Sequence, residues 1–278
     1  DMFFGLKPKD YDLASDARPE EIAEVFHDLG IYTKNFQHDT VNVHFADQDI
    51  EITTFRGEKD TIESDLGRRD FTLDALAYSP KEGLIDPYDG KEDIASRVLR
   101  CTYLPKDDFE EDPIRILRAI RLAGKYHLQI EGKTSNAMHR YAPLLKRISP
   151  ERIREEFLAI IVLKDADQWI REYLDVFEVF LPELRKMEGF KQHSPYHEFD
   201  VLEHSLHALH AVKDRNPALC TATLFHDVGK PDAFFFKDGC GHFYGHADKG
   251  EEIVKQILTR LKCSNDFMEE VSSLVKWH

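Results

Sequence analysis

The 278-residue sequence has no pair of cysteines spaced C-x-x-C; its four cysteines, Cys101, Cys220, Cys240 and Cys263, are scattered. That scatter excludes a cysteine-based zinc site and a disulfide frame, and it fits reduced thiols. Long apolar runs are missing too. The longest, Phe157 to Leu163, is far shorter than the roughly 20 residues of a membrane span. No apolar leader opens the sequence, so the expected location is cytoplasmic, with no membrane partner. There is no internal repeat and no low-complexity tract, which excludes a repeat array. Positive charge is outnumbered, with 37 Lys and Arg against 52 Asp and Glu. A net charge of −15 argues against indiscriminate nucleic-acid binding across the whole surface.

The charge is unevenly spread. From Pro113 to Arg154 ten basic residues stand against two acids, Glu131 and Glu151. A basic middle between acidic ends points to a local polyanion site or to a solvated helical face. Near the start, Asp10-Tyr11-Asp12 places two acids one residue apart. On a strand both side chains would share a face, and Glu51, from Ile50-Glu51-Ile52 on a neighbouring strand, could join them. Three close carboxylates repel one another unless a cation lies between them. Oxygen ligands suit Mg2+, and paired ions suit phosphoryl transfer.

The first 88 residues read as mixed α/β. Asp10 to Leu13 is a strand candidate, and Pro19 to Leu29 is a helix with Pro at its first position and Gly30 after it. Thr40 to Ala46 alternates as a strand, and Asp47-Gln48-Asp49 can turn it back into Glu51–Phe55. Residues 70 to 78 are expected to be helical, and 85 to 90 turn-rich. From about residue 91 the pattern is helical. Asp112-Pro113 marks one helix start, with Asp112 as cap, and Ser149-Pro150-Glu151 marks another. Arg115, Arg118, Arg121 and Lys125 recur at steps of three or four and form one stripe. Helices over 166–181, 204–212, 218–225, 249–261 and 266–277 make an all-α second half.

Five segments occur in an informative order: Lys9-Asp10-Tyr11-Asp12, Ile50 to Arg56, Arg68-Arg69-Asp70-Phe71-Thr72, Glu111-Asp112-Pro113-Ile114-Arg115, and Ile148-Ser149-Pro150-Glu151-Arg152-Ile153-Arg154. In that order they resemble the bacterial tRNA nucleotidyltransferases, the class of CCA-adding, CC-adding and A-adding enzymes and bacterial poly(A) polymerases. The resemblance implies an α+β protein. A mixed α/β, polymerase-β-like nucleotidyltransferase head (1–90) would precede an all-α neck and body (91–180) and an all-α HD-type domain (181–278). It assigns Asp10 and Asp12 to Mg2+ and Glu51 as the third catalytic carboxylate. A tRNA 3′-hydroxyl would attack the α-phosphate of CTP or ATP, and pyrophosphate would leave. Arg68, Arg69, Asp70 and Asp74 would meet the ribose and phosphates of the nucleotide. Asp112 and Arg115 would read its base edge as a template base does, with Asp accepting from an exocyclic amine and Arg donating to ring acceptors. Arg118 and Arg121 would meet phosphates or tRNA. Further on, His204, His226-Asp227, His246 and His278 resemble an HD-type phosphohydrolase site. His204, His226, Asp227 and His246 would be its ligands for a transition metal.

The chain also departs from the family pattern. The Gly-Gly-x-Val-Arg-Asp loop that cradles triphosphate in relatives is represented only by Asp1, and an incomplete N-terminus is the expectation. Eleven residues separate Arg56 from Arg68, where CCA-adding enzymes carry a longer loop; the short loop marks CC-adding enzymes. Asp74 stands where Asn is usual and adds a negative charge beside the nucleotide site. The terminal Asp of an HD pattern is not found before His278. The leading expectation is CC addition to tRNA, with CCA addition as its near alternative. A metal-dependent HD phosphohydrolase acting on cyclic nucleotides or phosphomonoesters is a second hypothesis, and a non-catalytic RNA-binding protein a third.

Overall fold

The computed structural model describes residues 2–5, 7, 12–29, 31–37, 40–45, 48–56, 61–191, 198–237 and 240–278. Asp10, Tyr11, His193, His197 and residues 57–60 of the short loop lie outside them. The chain forms two compact units, Asp1–Leu104 and Pro105–His278.

Unit one is built on a four-stranded sheet of β1 (Asp12–Ser15), β2 (Tyr32–Gln37), β3 (Thr40–Phe45) and β4 (Gln48–Thr54), in the order β1-β4-β3-β2. β1 runs parallel to β4, and the other pairings are antiparallel. Alternation decides the faces. Val41, Val43 and Ile52 are buried, and the helix Pro19–Asp28 lays Ile22 and Phe26 over them. The other face is polar; there the hydroxyls of Thr40 and Thr53 lie 3.0 Å apart.

Several local expectations need correction. β1 runs on to Ser15, past the expected end at Leu13. Gln48 and Asp49, expected in the turn, are strand residues. β2 carries no apolar alternation because it is a sheet edge, where polar Lys34, Asn35 and Gln37 are tolerated. The expected helix over 70–78 is a single 3-10 turn, Thr72–Asp74, followed by strand Ala77–Ser79, which pairs with Gly83–Ile85. The Asp74 carboxylate accepts the Phe71 N–H at 2.8 Å and so caps the start of the turn, while the residues after it pair as a strand.

Unit two is helical apart from short strands. Helices Arg115–Tyr126 and Pro150–Ile161 pack together, and Val201–Ala211, Pro217–Phe225, His246–Arg260 and Asn265–Lys276 form the second half. A hairpin, Phe235–Lys237 with Cys240–His242, interrupts the expected all-α pattern. The short helix Pro105–Glu111 was not expected. No described helix is long and apolar enough to cross a membrane.

Candidate functional site

The register of β1 against β4 makes Asp12 and Glu51 direct partners. Neighbouring strands lie about 4.8 Å apart, and laterally paired residues share a face. Both side chains are exposed on the polar face, with Asn42 of β3 beside Glu51. Neither carboxylate has a cationic side chain as partner among the described residues. An exposed pair of oxygen donors without a built-in counter-charge suits a hard divalent cation. Asp10 lies outside the described residues.

The Arg68–Thr72 segment is clamped by its neighbours. Buried Asp93 accepts the Thr72 hydroxyl at 2.6 Å and is gripped by Arg100 at 3.1 and 2.9 Å. The Thr72 N–H reaches the Arg100 carbonyl at 2.9 Å, and the Thr102 hydroxyl reaches the Arg69 carbonyl at 2.7 Å. Asp86 accepts the N–H groups of Gly90 and Lys91, opening the helix Gly90–Ala95. Gly90 must be glycine: a Cβ there would stand 2.0 Å from the Thr72 carbonyl oxygen, and backbone cannot swing aside. Asp65, Asp86, Asp93 and Arg100 were missed from sequence. The turn residues of Asp86-Pro87-Tyr88-Asp89-Gly90 were the available signal.

On this clamp Arg68 is exposed, Arg69 reaches buried Asp65 at 3.4 Å, and Asp70 is half-buried. Surrounding protein pushes the Asp74 carboxyl up to about 7, and the charge of Asp70 adds to this. The Phe71 N–H and Arg69 oppose the shift, and so does the water reaching this exposed side chain.

In unit two, the expected cap at Asp112 is not formed. The helix begins at Arg115, whose N–H bonds the Asp112 carbonyl, while the Asp112 carboxylate takes Arg152 at 2.7 Å. Arg152 wins because it brings a full charge to an acid otherwise offered only backbone N–H groups. Arg115, its expected companion in base reading, is 6% exposed and lies 3.2 Å from buried Asp108 and 3.6 Å from Glu111. Arg118 and Arg121 converge on Glu156 at 3.5 and 2.6 Å. Arg115, Arg118 and Arg121 of the basic stripe are thus matched by acids on neighbouring helices. Asp108, Arg152 and Glu156 were not foreseen, since their pairing depends on tertiary packing.

The HD residues converge on one carboxylate. Asp227, 2% exposed, has His226 Nε2 at 3.2 Å, His204 Nε2 at 3.6 Å and Lys230 Nζ at 2.6 Å from Oδ2. His246 and His278 Nε2 stand 3.6 and 3.7 Å from Oδ1. Among the described residues two groups qualify as metal-ligand sets, His204/His226/Asp227 and Asp227/His246/His278. The Nδ1 atoms of His226, His246 and His278 face the carbonyls of Thr223, Phe243 and Val275 at 2.8, 2.9 and 2.6 Å. A carbonyl accepts only, so these Nδ1 atoms carry the hydrogens and leave each Nε2 available to a metal.

Burial alone would raise the Asp227 carboxyl, but His226 and Lys230 outweigh it and hold it well below the usual carboxylate range. Burial alone would lower His226, but Asp227 prevails and raises it. The two signs differ. The lowered carboxyl stabilises the fold above about pH 3.9, and that contribution is lost as pH falls through its depressed value. The raised imidazole stabilises below about pH 6.5, and that contribution is lost as pH rises through its raised value. Metal-free protein is therefore expected to show its highest Tm between those limits, measured in chelator across the pH range. A Tm climbing steadily above neutrality would contradict the pairing.

Three family profiles match consecutive parts of the chain. They are the poly A polymerase head domain over residues 1–100, the "Probable RNA and SrmB- binding site of polymerase A" over 127–187, and the HD domain over 196–278. The chain belongs to the bacterial tRNA nucleotidyltransferase and poly(A) polymerase class, and it carries an HD domain.

Within that class it is 38% identical over 230 residues to an A-adding tRNA nucleotidyltransferase of Deinococcus radiodurans, covering 78% of this chain and 52% of the relative. It is 37% identical over 182 residues to a CCA-adding enzyme of Lactobacillus delbrueckii subsp. bulgaricus, covering 59% of this chain and 45% of that enzyme. The chain thus spans about half the length of these relatives. Among solved structures, a tRNA-processing enzyme matches with a TM-score of 0.72 at 22% identity, over 99% of this chain and 75% of that one, a likeness of fold.

Proposed function

We propose that the protein transfers nucleotides from CTP, and in the CCA-adding alternative also ATP, to the 3′ end of tRNA without a nucleic-acid template. The observation that carries this reading is the side-by-side placement of Asp12 and Glu51, neither of which has a cationic side-chain partner among the described residues. Relatives named as CCA-adding and A-adding enzymes support it. The functional segments we assign are a head over 1–90, a neck and body over 91–180, and the HD domain over 181–278.

Asp10 and Asp12, with Glu51, would hold Mg2+, which when bound supplies charge neutralisation for the reacting phosphate and activates the attacking hydroxyl. Arg68, Arg69, Asp70 and Asp74 take the ribose and phosphates, and guanidinium groups suit phosphate through paired hydrogen bonds. Asp112 and Arg115 read the base. Arg118 and Arg121 meet phosphates or tRNA by exchanging Glu156 for them. The tRNA 3′-hydroxyl attacks the α-phosphate, the bond to the β-phosphate breaks, and pyrophosphate departs.

The short segment between Arg56 and Arg68 favours addition of CC alone. Offered tRNA ending at its discriminator base with both CTP and ATP, the protein is expected to leave 3′ ends reading CC when the products are sequenced. Ends reading CCA would reject the loop argument and leave the transfer reaction standing. Addition of a single A to tRNA already ending in CC would align it with the Deinococcus relative instead.

The imidazole cluster around Asp227 favours a second, coexisting activity. Histidine and carboxylate donors suit a transition metal, which supplies an activated water for phosphoester hydrolysis. Opening of a 2′,3′-cyclic nucleotide to its nucleoside monophosphate, or release of phosphate from a phosphomonoester, is expected in Ni2+, Co2+ or Mn2+, and is expected to vanish in Asp227→Ala. Equal release by the variant would reject this reading.

A further inference from the structure

We propose that the ring cluster of Phe235, His242 and Tyr244 is a stacking platform for unpaired RNA, with Lys237 beside it for a phosphate. This rests on the reading above that the chain acts on RNA, and it uses none of the residues assigned there.

Phe235 and His242 face each other across the hairpin of Phe235–Lys237 and Cys240–His242, and Tyr244 follows two residues on. The Phe235 and His242 ring centroids are 5.4 Å apart with 23° between their planes. Tyr244 closes the group, 5.5 Å from His242 at 18° and 5.6 Å from Phe235 at 39°. The three rings are thus close to parallel, an offset-stacked arrangement that leaves flat faces outward. Phe234, by contrast, is turned into the domain, where it meets Phe190 edge-on at 84° and anchors the hairpin.

The cluster is open to water. Tyr244 is 76% exposed and Phe235 39%. One side of the Tyr244 ring leans on its neighbours, so the other side is free. Aromatic rings left in water forgo the stabilisation of burial, and a shared exposed face of them marks a surface for a ligand.

Charge and ring geometry select that ligand. Strand alternation places Lys237 on the face of Phe235, about 7 Å along the strand. Lys237 is exposed and makes no ion pair among the described residues. A flat π surface with an unengaged cation at its edge matches a nucleobase joined to a phosphate. Every base has a π face, so such a platform takes unpaired RNA without reading its sequence. A duplex keeps its base faces stacked on one another and offers none. An apolar side chain of a protein partner needs no parallel rings.

The test is made on the intact chain without CTP or ATP, so it reads binding whether or not nucleotides are transferred. Single-stranded RNA containing iodouridine is irradiated on the protein, and adducts are located by mass spectrometry. An adduct is expected on the peptide that holds Phe235 and His242. In Tyr244→Ala the RNA concentration that half-saturates this adduct is expected to rise about 5- to 150-fold, with Tm unchanged because the side chain is exposed. Tyr244→Trp is expected to restore it, and Tyr244→Leu, which keeps apolar area without an aromatic face, to fail as alanine does. Lys237→Ala is expected to reduce the salt slope of binding by about one. Adducts confined to other segments, a half-saturation unmoved by Tyr244→Ala, or equal adducts from duplex RNA would overturn the proposal. Full binding by Tyr244→Leu would overturn it too and mark the patch as a protein-docking surface. Nucleotide incorporation that persists beside any of these results leaves the transfer reading standing, and loss of incorporation in Asp12→Ala leaves the adduct unchanged.

Discussion

Asp12→Ala is expected to lower nucleotide incorporation into tRNA by about 10³-fold or more. A metal ion at the reacting phosphate supplies several kcal/mol of transition-state stabilisation, and each 1.36 kcal/mol is about tenfold in rate. The fold should survive, because Asp12 is exposed on β1 and makes no ion pair among the described residues. Surface substitutions of that kind change stability by about 0.5 kcal/mol or less. Glu51→Ala should act in the same direction. An unchanged Tm with collapsed incorporation is the pattern that separates a metal ligand from a structural acid. Incorporation within a few-fold of the parent would remove the acidic pair from the chemistry.

Asp112→Ala is expected to reduce the preference for CTP over UTP, read as the ratio of their kcat/KM values, by about 5- to 150-fold. That range corresponds to about 1–3 kcal/mol for a buried base-edge group left without its partner. The Asp112–Arg152 pair is partly exposed, so its loss costs about 0–1 kcal/mol of stability, and the variant should be well folded. Arg115→Ala is a poorer probe. It strands the carboxylate of Asp108, and breaking a buried pair costs about 3–5 kcal/mol. A selectivity ratio unmoved by Asp112→Ala would mean that this carboxylate serves the helix junction with Arg152 and does not read the base.

The legible parts of the molecule were those encoded locally. Val41 and Val43 alternate, so β3 could be read directly, and Pro19 and Pro150 at first-turn positions marked their helices. The spacing of Glu51 from Asp12 could suggest a shared strand pair, but only the parallel register establishes it. The resemblance to an HD-type site likewise implied a gathering of His204, His226, Asp227 and His246, which come from three separate segments. What could not be read were contacts between distant segments. Asp112 looked like a cap because Pro113 follows it, yet a side chain forty residues on, Arg152, outbids the backbone. The expected helix over 70–78 gives way after one turn because Ala77–Ser79 pairs as a strand with Gly83–Ile85. The arginine stripe was read as open to polyanions, but the acids that meet it, Asp108 and Glu156, flank it on other helices. No local pattern announces such partners.

The central claim is that the carboxylates of the front sheet gather divalent ions so that RNA is extended without a template. Its most direct test is to follow labelled CTP into tRNA lacking its 3′ CCA while Mg2+ is titrated. Incorporation that rises from nothing in chelator, saturates with Mg2+ and is absent from Asp12→Ala at every concentration is the result expected. Incorporation insensitive to chelator, or restored in Asp12→Ala without change in its metal dependence, would contradict it.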